Sequence, residues 1–360
     1  MKKIKCKVIN KHRKPFIFLS ALILISLLTA ISVFSAFYID SLIHKYRNKS
    51  SKEISDVLTD MSFMEICSEV NELSAQGAEL SDFIAHASVM AEKAEHINSD
   101  NLMEIINDPG NSENLRIIVL QILDYKGIEL NDGNIKDLHR IVKEKKANNI
   151  ILQNIIWILP ESRGTDKLME SVALGDNDEM AFQALRRLNM DNPEQAVLIA
   201  RKFIEDDIKG ERKRIAIMVI SQYLRKSDDE REKDDWVSYC GKELAKSIHA
   251  DNFMLSNTII HSLSGMRYLG AVACLINSDL LDETEKYLAA AENYKTFIDA
   301  LSDNPTDEVI EYVIKAMEFC PTTEVIEKLK ETVKICEKEY DLTYILSLEA
   351  EPADRNYDLD

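Results

Sequence analysis

The stretch DEMAFQALRRLNMDNPEQAVLIARKFIEDD, residues 178–207, shows the pattern from which the fold class is predicted. It holds two runs of apolar residues spaced three and four apart, with a polar break between them, which is the spacing of two short helices. Asn192 can accept the first free amide protons of the second helix, and Pro193 suits its first turn. One apolar stripe then follows, formed by Val197, Ala200 and Ile204, with Phe203 beside it.

The same design recurs along most of the chain. NPTDEVIEYVIKAMEFC, residues 304–320, again begins with Asn-Pro and continues with apolar residues four apart. LDETEKYLAAAENY, residues 281–294, opens with Asp282 and Glu285, which have the spacing of a capping box. The chain contains only 10 Gly and 7 Pro among 360 residues, and few segments alternate in the manner of a strand. The sequence therefore predicts an all-α protein.

The helices also repeat. The segments ENLRIIVLQIL, NNIILQNIIWIL, DEMAFQALRRL, RKRIAIMVISQYL and NFMLSNTIIHSL look alike and end in leucines spaced by 36, 29, 36 and 39 residues. These leucines are Leu123, Leu159, Leu188, Leu224 and Leu263. Self-similarity at this period, with two helices in each unit, is typical of stacked helical repeats.

On these segments, residues 111–341 resemble the HEAT-like repeat family of α-solenoids. The resemblance implies a right-handed solenoid of paired helices with an extended surface for a protein or peptide. The tetratricopeptide pattern of Trp, Leu-Gly and Tyr is absent, so that family ranks second. A compact, irregular helical domain is a further alternative, because the spacing of the repeats is uneven.

The segments on either side of the repeats differ from them. Residues 53–110 suggest two longer helices around Gly77, which we interpret as a helical hairpin or capping region, since terminal repeats are often atypical. Residues 342–360 are rich in acids and suggest a solvated tail.

The beginning of the chain predicts a membrane anchor. Residues 15–38 carry no charge and, as a helix, would span roughly 36 Å, enough to cross a hydrocarbon core of about 30 Å. Residues 1–14 hold seven Lys and Arg, whereas the juxtamembrane linker 39–52 holds four, which predicts a cytoplasmic N-terminus and an extracytoplasmic body. A cleaved export signal is the alternative, although its apolar centre usually has only about 7–15 residues.

The net charge and the absence of known motifs disfavour several classes of function. The net charge of −18 becomes −28 for residues 53–360 once the +7 and +3 of the two basic flanks are removed, which disfavours a nucleic-acid partner. Metalloprotease, P-loop, dinucleotide and nucleophile-elbow motifs are absent, so no catalytic, cofactor-binding or metal-ligating residue is predicted. His86 and His96 are interpreted as solvent-facing rather than as metal ligands, and His261 as a packed core residue. A disulfide between Cys320 and Cys336 is left open.

The function expected from the sequence is that of a membrane-anchored, extracytoplasmic helical-repeat scaffold. It would bind a protein or peptide partner at the membrane surface, without cofactor and without being an enzyme. Two alternatives stay open: an enzyme or enzyme subunit of the cell envelope with an unrecognised active site, and a structural spacer.

Overall fold

The computed structural model describes residues 50–303, 305–336 and 338–350, and these residues form two compact units. The first unit ends at Pro160 and the second begins at Glu161. The predicted anchor at residues 15–38 lies outside the described residues. Within them, no helix has both the length and the apolar character that a membrane crossing requires.

The first unit contains seven α-helices among its described residues. They are α1 (Ser51–Thr59), α2 (Phe63–Ala75), α3 (Ile84–Lys93), α4 (Ser99–Asn107), α5 (Glu113–Lys126), α6 (Asp132–Glu144) and α7 (Asn149–Ile158). Short 3-10 helices at Leu80–Phe83 and Ala94–His96 flank α3. Most of these helices pack mainly on the next helix or the next but one, as in the series α1, α3, α5 and α7, and α2 also packs on α5.

The second unit contains twelve α-helices among its described residues. They are α8 (Arg163–Ala173), α9 (Asp178–Asp191), α10 (Pro193–Glu205), α11 (Glu211–Arg225), α12 (Glu230–His249), α13 (Phe253–Gly265), α14 (Leu269–Ile276), α15 (Glu283–Glu292), α16 (Tyr294–Asp303), α17 (Asp307–Phe319), α18 (Thr323–Val333) and α19 (Thr343–Leu346). The described part of the chain holds no β-strand, so the all-α prediction is confirmed.

The helices of the second unit pack in a row. The helices α9, α11, α13, α15 and α17 contact one another in series and form what we call the first layer. The intervening helices α12, α14, α16 and α18 contact one another in series on the other side. This order is compatible with a helical-repeat solenoid, because each helix covers the apolar stripes of its sequence neighbours.

The predicted caps and stripes account for much of this packing. Asn192 accepts a hydrogen bond from the backbone N–H of Gln195, and Asp282 forms a capping box with Glu285. The five repeated leucines are all buried, at 3% exposure or less. Leu185 is buried with them, whereas Met218 is half-buried. In α10, Val197, Ala200 and Phe203 are buried and Ile204 is half-buried, so the stripe is centred closer to Phe203 than expected.

The expectation of two long helices around Gly77 is wrong. Residues 51–107 hold four shorter α-helices, and Gly77 lies in the turn after α2 with a positive φ of 92°. There are two extra breaks. Ser62 forms a capping box with Glu65 and so starts α2 immediately after α1. Asn98 accepts a hydrogen bond from the backbone N–H of Asn101 and so starts α4 after α3. The predicted acidic tail begins with the short helix α19, whose Ile345 is buried in the core formed by the last helices.

Candidate functional site

A buried cluster of charged side chains joins α11 to α12. Lys213 Nζ lies 2.6 Å from Glu243 Oε2 and 3.2 Å from Asp207 Oδ1 in the turn before α11. Lys213 and Glu243 are each only 6% exposed. Lys246 adds a second cation at 2.6 Å from Glu243 Oε1, so the two cations face two carboxylates.

The electrostatics of this cluster favour the charged forms of Lys213, Glu243 and Asp207. Burial by itself raises the pKa of Glu243, but hydrogen bonds from Lys213 and Lys246 outweigh it and leave the pKa lowered. Burial likewise works against the charge of Lys213, yet its bonds to Glu243 and Asp207 leave its pKa raised. A lysine held protonated in this way does not act as a base. We interpret the cluster as a clamp between α11 and α12.

The first unit buries a carboxylate and an imidazole side by side. His86 Nε2 lies 3.8 Å from Glu69 Oε1, and the ring of Phe83 meets the imidazole edge-on with centroids 5.4 Å apart. His86 is fully buried, so the interpretation of a solvent-facing side chain is wrong. It shares the inward face of α3 with Val89 and Met90, three and four residues further on.

The other histidines and cysteines that the sequence singled out do not form a common site. His96 is exposed, as expected, and His261 is also exposed, so its interpretation as a packed residue is wrong. No group of residues that could hold a metal ion occurs in the part of the chain that the structure describes. Cys320 and Cys336 are both free thiols. Burial raises the pKa of the Cys67 thiol to about 12, which is typical of a cysteine used for packing.

Polar side-chain contacts link neighbouring helices of the first layer. Arg214 Nε donates a hydrogen bond of 3.0 Å from α11 to Thr258 Oγ1 on α13. Asn189 Nδ2 on α9 donates to Gln222 Oε1 on α11 at 2.7 Å. These bonds fix the register of α9, α11 and α13, so that the last turns of the three helices lie next to one another.

Basic and apolar side chains gather where those helices end. Arg225 is the last residue of α11, Lys226 follows it, and Arg267 follows the end of α13. All three are exposed. Tyr223 on α11 and Met190 on α9 are also exposed, at 36% and 66%. We call these five residues the arginine edge.

Neither arginine of this edge is neutralised by the described part of the chain, where no carboxylate lies within ion-pair distance of either guanidinium. Partial burial and the positive charge of Arg267 both lower the pKa of Arg225. In a protein with 62 acids and 44 basic residues, two adjoining arginines without a carboxylate partner among the described residues are unexpected. Sequence reasoning missed them because they lie on separate helices and form no motif.

The sequence matches no protein-family model, and no curated protein is similar to it at a significant level.

Proposed function

We propose that this protein is a membrane-anchored scaffold whose HEAT-type helical repeats bind a protein or peptide partner outside the cytoplasm. The observation that carries the proposal is the row of helices in the second unit, whose first-layer ends present exposed apolar and basic side chains together. Repeat proteins bind partners over such continuous surfaces.

The anchor is part of the same proposal. The uncharged segment 15–38 would stay in the membrane, with residues 1–14 in the cytoplasm by the excess of basic residues on that side. Anchoring would confine binding to the membrane surface. The cluster around Lys213 then serves binding indirectly, by holding α11 and α12 in place.

Photocrosslinking in native membranes tests this function. A photoreactive amino acid is placed at Tyr223, on the arginine edge, and in a matched variant at Leu198, which is 63% exposed on α10, outside the first layer. We expect one discrete crosslinked product from position 223 and little from position 198. Equal labelling from both positions, or no product from either, would overturn the proposal.

A further inference from the structure

We propose that the arginine edge is a binding site for an acidic peptide segment of the partner, in which carboxylates face Arg225 and Arg267 and an apolar side chain lies on Tyr223 and Met190. This inference rests on the proposed function and specifies the chemistry of the partner.

The two arginines are brought to one place by the register of their helices. The hydrogen bond from Arg214 to Thr258 sets α11 beside α13. Arg225 comes eleven residues after Arg214, and Arg267 comes nine residues after Thr258. At about 1.5 Å per residue these segments rise roughly 16 and 14 Å, so both side chains reach nearly the same level.

The backbone at Arg267 is strained. Its φ of 51° lies in the left-handed region, which a residue with a Cβ adopts only with strain. A glycine would end α13 there more easily, as Gly127 ends α5 with a φ of 58°. Lys145, Asp207 and Asp251 share this conformation, so a glycine at any of the four positions would relieve strain.

Charge complementarity identifies the occupant. A guanidinium presents a planar set of donors that matches a carboxylate in bidentate fashion. Two of them side by side, with Lys226 next in the chain, favour a ligand with at least two negative charges. The adjoining Tyr223 and Met190 are apolar surfaces of the kind that anchor a peptide side chain. A peptide that combines acids with an aromatic residue satisfies both halves of the site.

The test uses the full-length protein in detergent micelles and a fluorescent peptide in which glutamate alternates with phenylalanine. Fluorescence anisotropy compares it with a twin peptide that has glutamine in place of glutamate. We expect the twin to bind at least about tenfold more weakly, and Arg225→Gln to weaken binding of the acidic peptide by about tenfold, the order expected for a lost charge-assisted contact. Equal binding of the two peptides would overturn the inference.

A glycine variant separates binding from folding. Arg267→Gly relieves the positive φ while removing the guanidinium, so we expect unchanged or higher thermal stability together with about tenfold weaker binding of the acidic peptide. Lys145→Gly is the matched control, because Lys145 is also an exposed cation with a φ of 51°, at the end of α6. It should bind the peptide as the wild type does. Wild-type affinity in Arg267→Gly would contradict the inference.

Two further experiments test whether the ligand is a carboxylate or a phosphate, and separate this inference from the proposed function. Inorganic phosphate should compete with the peptide only weakly; displacement at matching concentrations would show a phosphate site instead. In the crosslinking experiment, Arg267→Gly should lose the product from position 223. A product that persists would leave the scaffold function standing and refute the acidic-peptide site, whereas no product from the wild type would refute the function itself.

Discussion

Lys213 illustrates what a single buried charge contributes to this fold. Replacing Lys213 by Met leaves the buried carboxylate of Glu243 with Lys246, whose side chain is 72% exposed, as its remaining cation. Removing one partner of a buried pair costs about 3–5 kcal/mol, and because Lys246 remains we expect about 3 kcal/mol. The free energy of unfolding is measured by chemical denaturation of the full-length protein in detergent, followed by circular dichroism.

A double variant and a pH series are the controls. Lys213→Met combined with Glu243→Leu removes both buried charges and should recover most of the loss. The lowered pKa of Glu243 means that its contribution is present above the unfolded pKa of about 4.3 and is lost as the pH falls through the folded pKa. The wild type should therefore lose stability below about pH 4 more steeply than the double variant. Parallel pH profiles would show that the pair contributes nothing.

Leu188 tests the apolar stripe at the same scale. It is fully buried on α9, and Leu188→Asp would bury a charge without a partner. We expect a loss of several kcal/mol in the free energy of unfolding, or failure to fold. Met190→Asp, two residues away at a side chain that is 66% exposed, should change stability by less than about 0.5 kcal/mol. Comparable losses in both variants would mean that the stripe is assigned to the wrong face.

The stability of a single helix can be tested at Asn192, the N-cap of α10. Its side chain accepts a hydrogen bond of 3.3 Å from the N–H of Gln195 and donates one of 3.3 Å to Asp166. Asn192→Ala should cost about 1 kcal/mol, whereas Asn192→Ser keeps the acceptor and should cost only a fraction of that. Thermal unfolding of the two variants measures the difference. Identical midpoints would show that this cap does not stabilise α10.

Features that depend on residues three or four apart could be predicted from the sequence. The cap at Asn192, the capping box at Asp282 and the stripe that ends in Leu188 are of this kind, because a helix brings such neighbours together wherever it forms. The helix ends on either side of Gly77 could not be predicted in this way. The capping box at Ser62 starts a new helix, whereas the apolar spacing is equally consistent with one continuous helix.

Contacts between helices could not be predicted in this way. Lys213 meets Glu243, and Arg225 adjoins Arg267, only because α11 lies beside both α12 and α13. The interpretation of His86 as solvent-facing is wrong for the same reason, because the helices that pack against α3 determine which of its sides is buried. A pattern within one helix does not specify which helix will cover it.

At the scale of the whole molecule, the uncharged segment 15–38 predicts permanent attachment to the membrane. Washing membranes with alkaline carbonate should leave the full-length protein in the pellet. Replacing Leu24 and Leu28 by Arg should release it, because each charge at the centre of such a helix disfavours insertion by about 2.5–3.5 kcal/mol. A soluble wild-type product that begins after residue 30 would instead show a cleaved export signal.

The most direct test of the repeat-stack architecture is a series of electron-spin distances within the second unit of the full-length protein. Labels on unnatural amino acids at Arg186 of α9 and, in turn, at His261 of α13, Leu288 of α15 and Glu318 of α17 sample exposed positions along the first layer. Adjacent helices lie about 8–10 Å apart, so a stack predicts separations that grow to roughly 20, 30 and 40 Å. Separations that level off, or that shorten from α15 to α17, would contradict the stack and with it the proposal that this protein binds its partner along a continuous helical surface.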